Sequence, residues 1–175
     1  YNQQNGQIQY KEIPFNYSRL NCILSLGKDT IGIGTSNGII LFFAQNNQFR
    51  NVEMHFNVMR IFEDSHNELW LFSKEQRGIV RYDPLTNEQQ HYETPTQNMP
   101  KAELRSRDVI FEDNQGTLWV VPHLGCLSYY DREDKELKPY YTDYSKPESK
   151  FTPVILNFYV DNQKNFCLLY TSPSP

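Results

Sequence analysis

Two histidines stand close enough to acidic residues to suggest proton transfer. His66 follows Asp64 by two positions, and His123 lies in a loop between two β-rich runs. A carboxylate that orients an imidazole tunes it as a general base near neutral pH. Glu63-Asp64 and Glu112-Asp113 also put carboxylates side by side, and glycoside cleavage uses two carboxyl groups. The spacing argues against both chemistries. Asp64 recurs as Asp113 and Asp161, whereas His66 is replaced by Gln115 and Gln163. A residue type that returns at a fixed interval serves the repeated structure. Neighbours in a strand point to opposite faces, so Glu63 and Asp64 cannot flank one bond. No catalytic residue is therefore assigned.

Cofactor and metal motifs are equally poor. The four His are scattered without HxH or HExxH spacing, and Cys22, Cys126 and Cys167 form no CxxC pair. Gly32-Ile33-Gly34 lacks the third glycine, the lysine and the following helix of a phosphate loop. No cofactor and no metal is expected. A net charge of −4 gives none of the basic face that nucleic acid requires. No run approaches the roughly 20 apolar residues of a membrane helix.

What the acidic residues do belong to is a repeat. Ile61-Phe62-Glu63-Asp64 and Leu69-Trp70 return, all at one offset, as Ile110-Phe111-Glu112-Asp113 and Leu118-Trp119. Gly78 then answers to Gly125, and Tyr82-Asp83 to Tyr130-Asp131. A third copy opens at Val154, with Asp161-Asn162-Gln163 repeating Asp113-Asn114-Gln115. Upstream, Ile31 to Phe43 keeps a worn Gly-Thr-x-x-Gly-Ile core in the place of the second and third strands.

Within a unit the reading is β throughout. Val58 to Asp64, Leu69 to Ser73, Ile79 to Asp83 and Gln89 to Glu93 are short runs rich in β-formers, separated by turn residues. Four short antiparallel strands at a period of about 40–50 residues predict a propeller blade. The fold class is all-β: a partial β-propeller of about three four-stranded blades, with partial blades at both ends. Asp64 to Asn67 and Asp113 to Gly116 are expected to close tight hairpins, with Asn67 or Gly116 accepting positive φ. Trp70 and Trp119 are expected mid-strand, filling the space between neighbouring sheets. Glu63 and Glu112 belong at strand ends, beside backbone or a neighbouring blade. The charged run Asp131 to Lys138 reads as an exposed turn.

These residues resemble the two-component regulator propeller repeat, here written IFEDSHNELW…GIVRYDP and IFEDNQGTLW…GCLSYYD. The resemblance implies part of the extracytoplasmic sensor of a Bacteroidota-type hybrid two-component system (histidine kinase and response regulator in one chain). It implies an oligosaccharide ligand, a homodimeric parent anchored in the inner membrane with this segment on the periplasmic side, and a kinase lying elsewhere. This segment itself would be no enzyme. Alternatives are a free-standing propeller enzyme, a lyase or glycosidase, and a protein-interaction propeller. Phe72-Ser73 and Val121-Pro122 stand where the family has Gly-Thr, and Asn67-Glu68 where it has Gly-Asn.

The expected units are 1–18 as the tail of one blade, 19–56, 57–105, 106–152, and 153–166 as the opening of another. The chain reads as cut at both ends. Residues 167–175, CLLYTSPSP, read as the translation of a sequencing adapter, with Cys167 standing where a third Trp is due. Propeller ligands meet the face built from the loops between second and third strands and between successive blades. On that placement Lys74, Gln76, Arg77, Arg105, Arg107 and His123 are the polar candidates for ligand binding. Tyr140 and Tyr141 are the aromatic candidates for stacking on sugar rings.

Overall fold

The computed structural model describes residues 6, 10–27, 29–73, 78–93, 109–121, 127–140, 154–161 and 166–171. Strands β1 (Leu20–Leu26), β2 (Thr30–Thr35), β3 (Gly38–Phe43) and β4 (Gln48–Glu53) form the first antiparallel sheet. The second contains β5 (Arg60–Glu63), β6 (Leu69–Phe72), β7 (Ile79–Tyr82) and β8 (Gln89–Tyr92). The third contains β9 (Val109–Glu112), β10 (Leu118–Val121), β11 (Ser128–Asp131) and β12 (Glu136–Pro139). A hairpin of β13 (Val154–Val160) and β14 (Phe166–Thr171) follows, with β13 beside β9. Each four-stranded sheet is an up-and-down meander in chain order. The molecule is thus an open, all-β partial propeller, as the repeat predicts.

Side-chain alternation along the strands explains the stacking. Leu69 and Leu71 of β6 face the first sheet, joining Ile39, Leu41, Val52, Val58 and Ile61 in one core. Trp70 and Phe72, one residue out of phase, face the third sheet with Ile110, Leu118, Val120 and Tyr130. All four residues of β6 are buried, because the second sheet is covered on both sides. Burial of each such large side chain stabilises the stack by about 1.5–3 kcal/mol. A smaller cluster of Val109, Val121 and Leu127, with Trp119 against it, lies on the far face of the third sheet.

Strand register sharpens the repeat. Trp70 pairs with Arg81, three residues after Gly78, and Gly32 pairs with Leu41, three residues after Gly38. Gly32 therefore holds the tryptophan position of the first blade. Tyr159 pairs with Cys167 as Phe111 pairs with Trp119, so Cys167 stands in that register too, exposed. The segment from Cys167 to Thr171, read from sequence as foreign, is placed as strand β14.

Residues 132–135 form the expected turn, with Glu133, Asp134, Lys135 and Glu136 exposed, but the run is more than a solvated one. Arg132 reaches back across the junction to the second blade, and Lys138 pairs with Asp131 at 2.6 Å and with Asp134.

Candidate functional site

The polar chemistry of the described residues collects where one blade meets the next, at the end of the sheets that carries the hairpins between first and second and between third and fourth strands. In each hairpin an aspartate organises the turn. Asp64 Oδ1 accepts from the amides of His66 (2.9 Å) and Glu68 (3.0 Å), while Oδ2 accepts from Trp70 Nε1 at 3.0 Å. Asp113 repeats the pattern with Gln115 (2.8 Å), Thr117 (2.9 Å) and Trp119 Nε1 (2.9 Å). Asn67 (φ 62°) and Gly116 (φ 80°) take the left-handed position that closes the turn. The indole bond was not anticipated from sequence. The constant six-residue step from Asp to Trp is its signal, since it puts both side chains on one face of the hairpin.

The step shared by the two hairpins also commits the carboxylates. Burial pushes the Asp64 carboxyl up, but hydrogen bonds from Trp70, Arg132 and the two amides outweigh it and hold it below its usual range. Asp113 is likewise pushed up by burial and brought lower overall by Trp119, Thr117 and Gln115. Neither faces the imidazole of His66, whose Nδ1 lies 3.2 Å from Ser65 Oγ. A carboxylate with both oxygens engaged and a depressed proton affinity is a poor general base.

Glutamates latch each blade to the one before it. Glu63 Oε2 accepts from the amide of Gly27 at 3.0 Å. Glu112 accepts from Ser65 twice, Oε2 from the amide and Oε1 from the hydroxyl, each at 2.7 Å. Both therefore reach the preceding hairpin, as their place at strand ends suggests.

The two junctions differ beyond that shared latch. Between the second and third blades, Arg132 Nη2 lies 2.9 Å from Asp64 Oδ2 and 3.5 Å from Glu112 Oε1, with Nη1 3.4 Å from Glu68 Oε2. Glu68 also accepts from Arg81 Nε at 2.7 Å. Below this knot Trp70 meets Tyr130 edge-on at 4.8 Å, and the hydroxyls of Tyr92 and Tyr130 are 3.0 Å apart. Between the first and second blades there is instead a cleft of about 420 Å³. Leu26, Leu41, Phe43 and Leu69 give it apolar walls, and Arg50 and Glu63 its charged groups. Arg50 Nη2 donates to Pro84 O (3.0 Å) and to the Tyr82 hydroxyl (3.3 Å).

The ligand-binding candidates Lys74, Gln76, Arg77, Arg105, Arg107 and His123 all lie outside the described residues, as does Tyr141. In chain order the six fall between β6 and β7, between β8 and β9, and between β10 and β11. Tyr140 meets the Trp119 ring edge-on at 5.0 Å, on the outer side of the third blade. The landmarks Asp64, Trp70, Asp113, Gly116 and Trp119 are brought together in their hairpins, and Asp161 follows β13 two residues after Tyr159.

No family model matches the chain, and no curated protein does. Solved structures do. The extracellular domain assigned to hybrid two-component system BT4673 of B. thetaiotaomicron has a TM-score of 0.58 at 20% identity, over 89% of this chain and 20% of that one. A second structure of the BT4673 domain gives 0.57 at 19%, over 89% and 20%. The extracellular domain assigned to hybrid two-component system BT3049 of the same organism gives 0.57 at 18%, over 95% and 22%. The chain spans about a fifth of the length of each. At these identities the likeness is one of fold: the chain shares its blade architecture with these extracellular domains.

Proposed function

We propose that this chain supplies blades to the extracytoplasmic ligand sensor of a hybrid two-component regulator. The observation that carries the reading is the match of nearly the whole chain to extracellular domains of such systems. The repeat that resembles the regulator propeller points the same way. The ligand proposed is an oligosaccharide, met at the loops that carry Lys74, Gln76, Arg77, Arg105, Arg107 and His123. Its binding would change how propellers pack in a dimer, and that change would pass through the membrane to a kinase.

The part played by this segment is scaffold and binding surface, not catalysis. Asp64 and Asp113, the acids that recur, are spent on indole and amide hydrogen bonds. Two measurements test the proposal. Sequence on either side of the segment should show further repeats, a membrane helix and a kinase; a frame closing after seven blades with no helix would sink it. The full ectodomain on a glycan array should show saturable oligosaccharide binding; an array with no bound glycan would favour a protein partner instead.

A further inference from the structure

We propose that the cleft between the first and second blades binds a small apolar carboxylate, with Arg50 as its counter-ion. The cleft measures about 420 Å³, within the roughly 300–1,000 Å³ of small-molecule sites. Its walls are side chains of both blades, Leu26, Leu41 and Phe43 from the first and Leu69, Pro84 and Leu85 from the second. It opens at the end of the sheets where β1 turns into β2 and β5 into β6, and none of its lining residues is a candidate for oligosaccharide binding.

Arg50 sets the chemistry. It is partly buried in the cleft wall, with its guanidinium 5.8 Å from the Phe43 ring centre. Its hydrogen-bond partners are a carbonyl and a phenol, both neutral. Its Nε is buried and makes no hydrogen bond among the described residues, as is also true of Arg132 Nε, so it is the absence of a charged partner that sets Arg50 apart. The ion pairs of the described residues engage Arg81, Arg132 and Lys138, not Arg50. A cation drawn out of water without an anion is costly, and a carboxylate is the planar partner a guanidinium matches best.

The other junction shows what such a cation takes when the protein provides it. There Arg132 is surrounded by Asp64, Glu68 and Glu112. At the first junction Glu63 is the acid lining the cleft, and it is already held by the Gly27 amide. An apolar body fits the leucine and phenylalanine walls, and one carboxylate answers Arg50.

The probe is 3-phenylpropionate, titrated into the full chain and followed by the methyl resonances of Leu26, Leu41 and Leu69. Saturable shifts at those methyls are expected. Arg50→Gln should weaken binding about tenfold, the loss of one charge-assisted contact, and Arg50→Lys less. Leu85→Glu, at a rim position 92% exposed and so harmless to folding, should weaken it several-fold. Should Arg50→Gln not fold, Arg50→Lys and Leu85→Glu decide. Equal affinity for 3-phenylpropionamide, tighter binding of 3-phenylpropylamine, shifts centred on Trp119 instead, or indifference to Leu85→Glu would each overturn the proposal.

Discussion

The junction between the first and second blades and the junction between the second and third are built on one plan and filled differently. Each has a glutamate latching back onto the preceding hairpin, Glu63 on Gly27 and Glu112 on Ser65. In the second junction the space behind the latch is occupied by Trp70, and its rim by Arg132 among three carboxylates. In the first, Gly32 stands in the tryptophan register with Leu26 and Ile61 against it, and an apolar cleft lies at the rim. A repeat therefore fixes where a blade can be tied down, while residues outside its pattern, Arg50 at one rim and Arg132 at the other, decide how the rim is filled.

The largest expected difference lies in the tryptophans themselves. Trp70 is fully buried between two sheets, whereas Trp119 is partly exposed on the outer face of the third. Trp70→Ala should cost about 3–5 kcal/mol, as for large-to-small core changes. Trp119→Ala should cost less, because part of its side chain stays in contact with water. Urea unfolding of both variants measures the gap, and equal costs would mean that the outer face is as well covered as the junction.

Next comes Arg132. Removing it strands the Asp64 side chain, which has no exposed surface, with a charge that only Trp70 and two amides then offset. Arg132→Ala should destabilise by about 2–3 kcal/mol, short of a fully buried pair because the arginine keeps some contact with water. The same change at Arg50 removes no ion pair, so Arg50→Ala should cost clearly less. If the two variants melt together, the junctions are not electrostatically distinct.

The glycine face of the first blade offers a finer contrast. A Cβ on Gly34 would lie 2.5 Å from Cys22 Sγ and 2.8 Å from the Val58 carbonyl, which belongs to the backbone of the next blade and cannot yield. On Gly32 the nearest atom is the tip of Leu26 at 2.9 Å, which can rotate away. Overpacking at Gly34→Ala should therefore cost about 1–3 kcal/mol, and Gly32→Ala less. Thermal unfolding that ranks them the other way would show that the first junction is held open at its rim rather than drawn together at Gly34.

How much of this stood in the sequence depends on whether a residue acts within its own hairpin or across a junction. The hairpins were legible, because Asp64, Asn67 and Trp70 carry their partners within six positions. So were the strands, since each is short, β-rich and bounded by turn residues. Arg132 was not, because its partners Asp64 and Glu68 come from the previous blade, and a charged turn looks the same whether water or a neighbouring sheet faces it. The cleft was invisible for a related reason. Its walls come from two blades, Leu26, Leu41 and Phe43 from one and Leu69, Pro84 and Leu85 from the next, and no spacing in the sequence marks residues that meet across a junction.

The smallest effect is the acid response, and it should divide the molecule. Asp64 and Asp113 have folded-state proton affinities below their unfolded values, the result of indole and amide hydrogen bonds winning over burial, with Arg132 added at Asp64. A depressed carboxylate contributes stability that is fully present above the ordinary Asp value of about 3.9 and is lost as pH falls through the lowered folded value. Stability from these hairpins should thus be flat from neutrality to about pH 5 and decline below about pH 4. The amides of His66, Glu68, Gln115 and Thr117, which donate to the two aspartates, should lose hydrogen-exchange protection in that range. The amides of β1 and β2 have no such aspartate beneath them and should hold theirs. Asp113→Asn should flatten the response at Gln115 and Thr117 alone and leave His66 and Glu68 as they were. Uniform loss of protection across all the sheets would instead mean that acid unfolds the blades as one unit, and that the aspartates anchor the stack as a whole rather than their own turns.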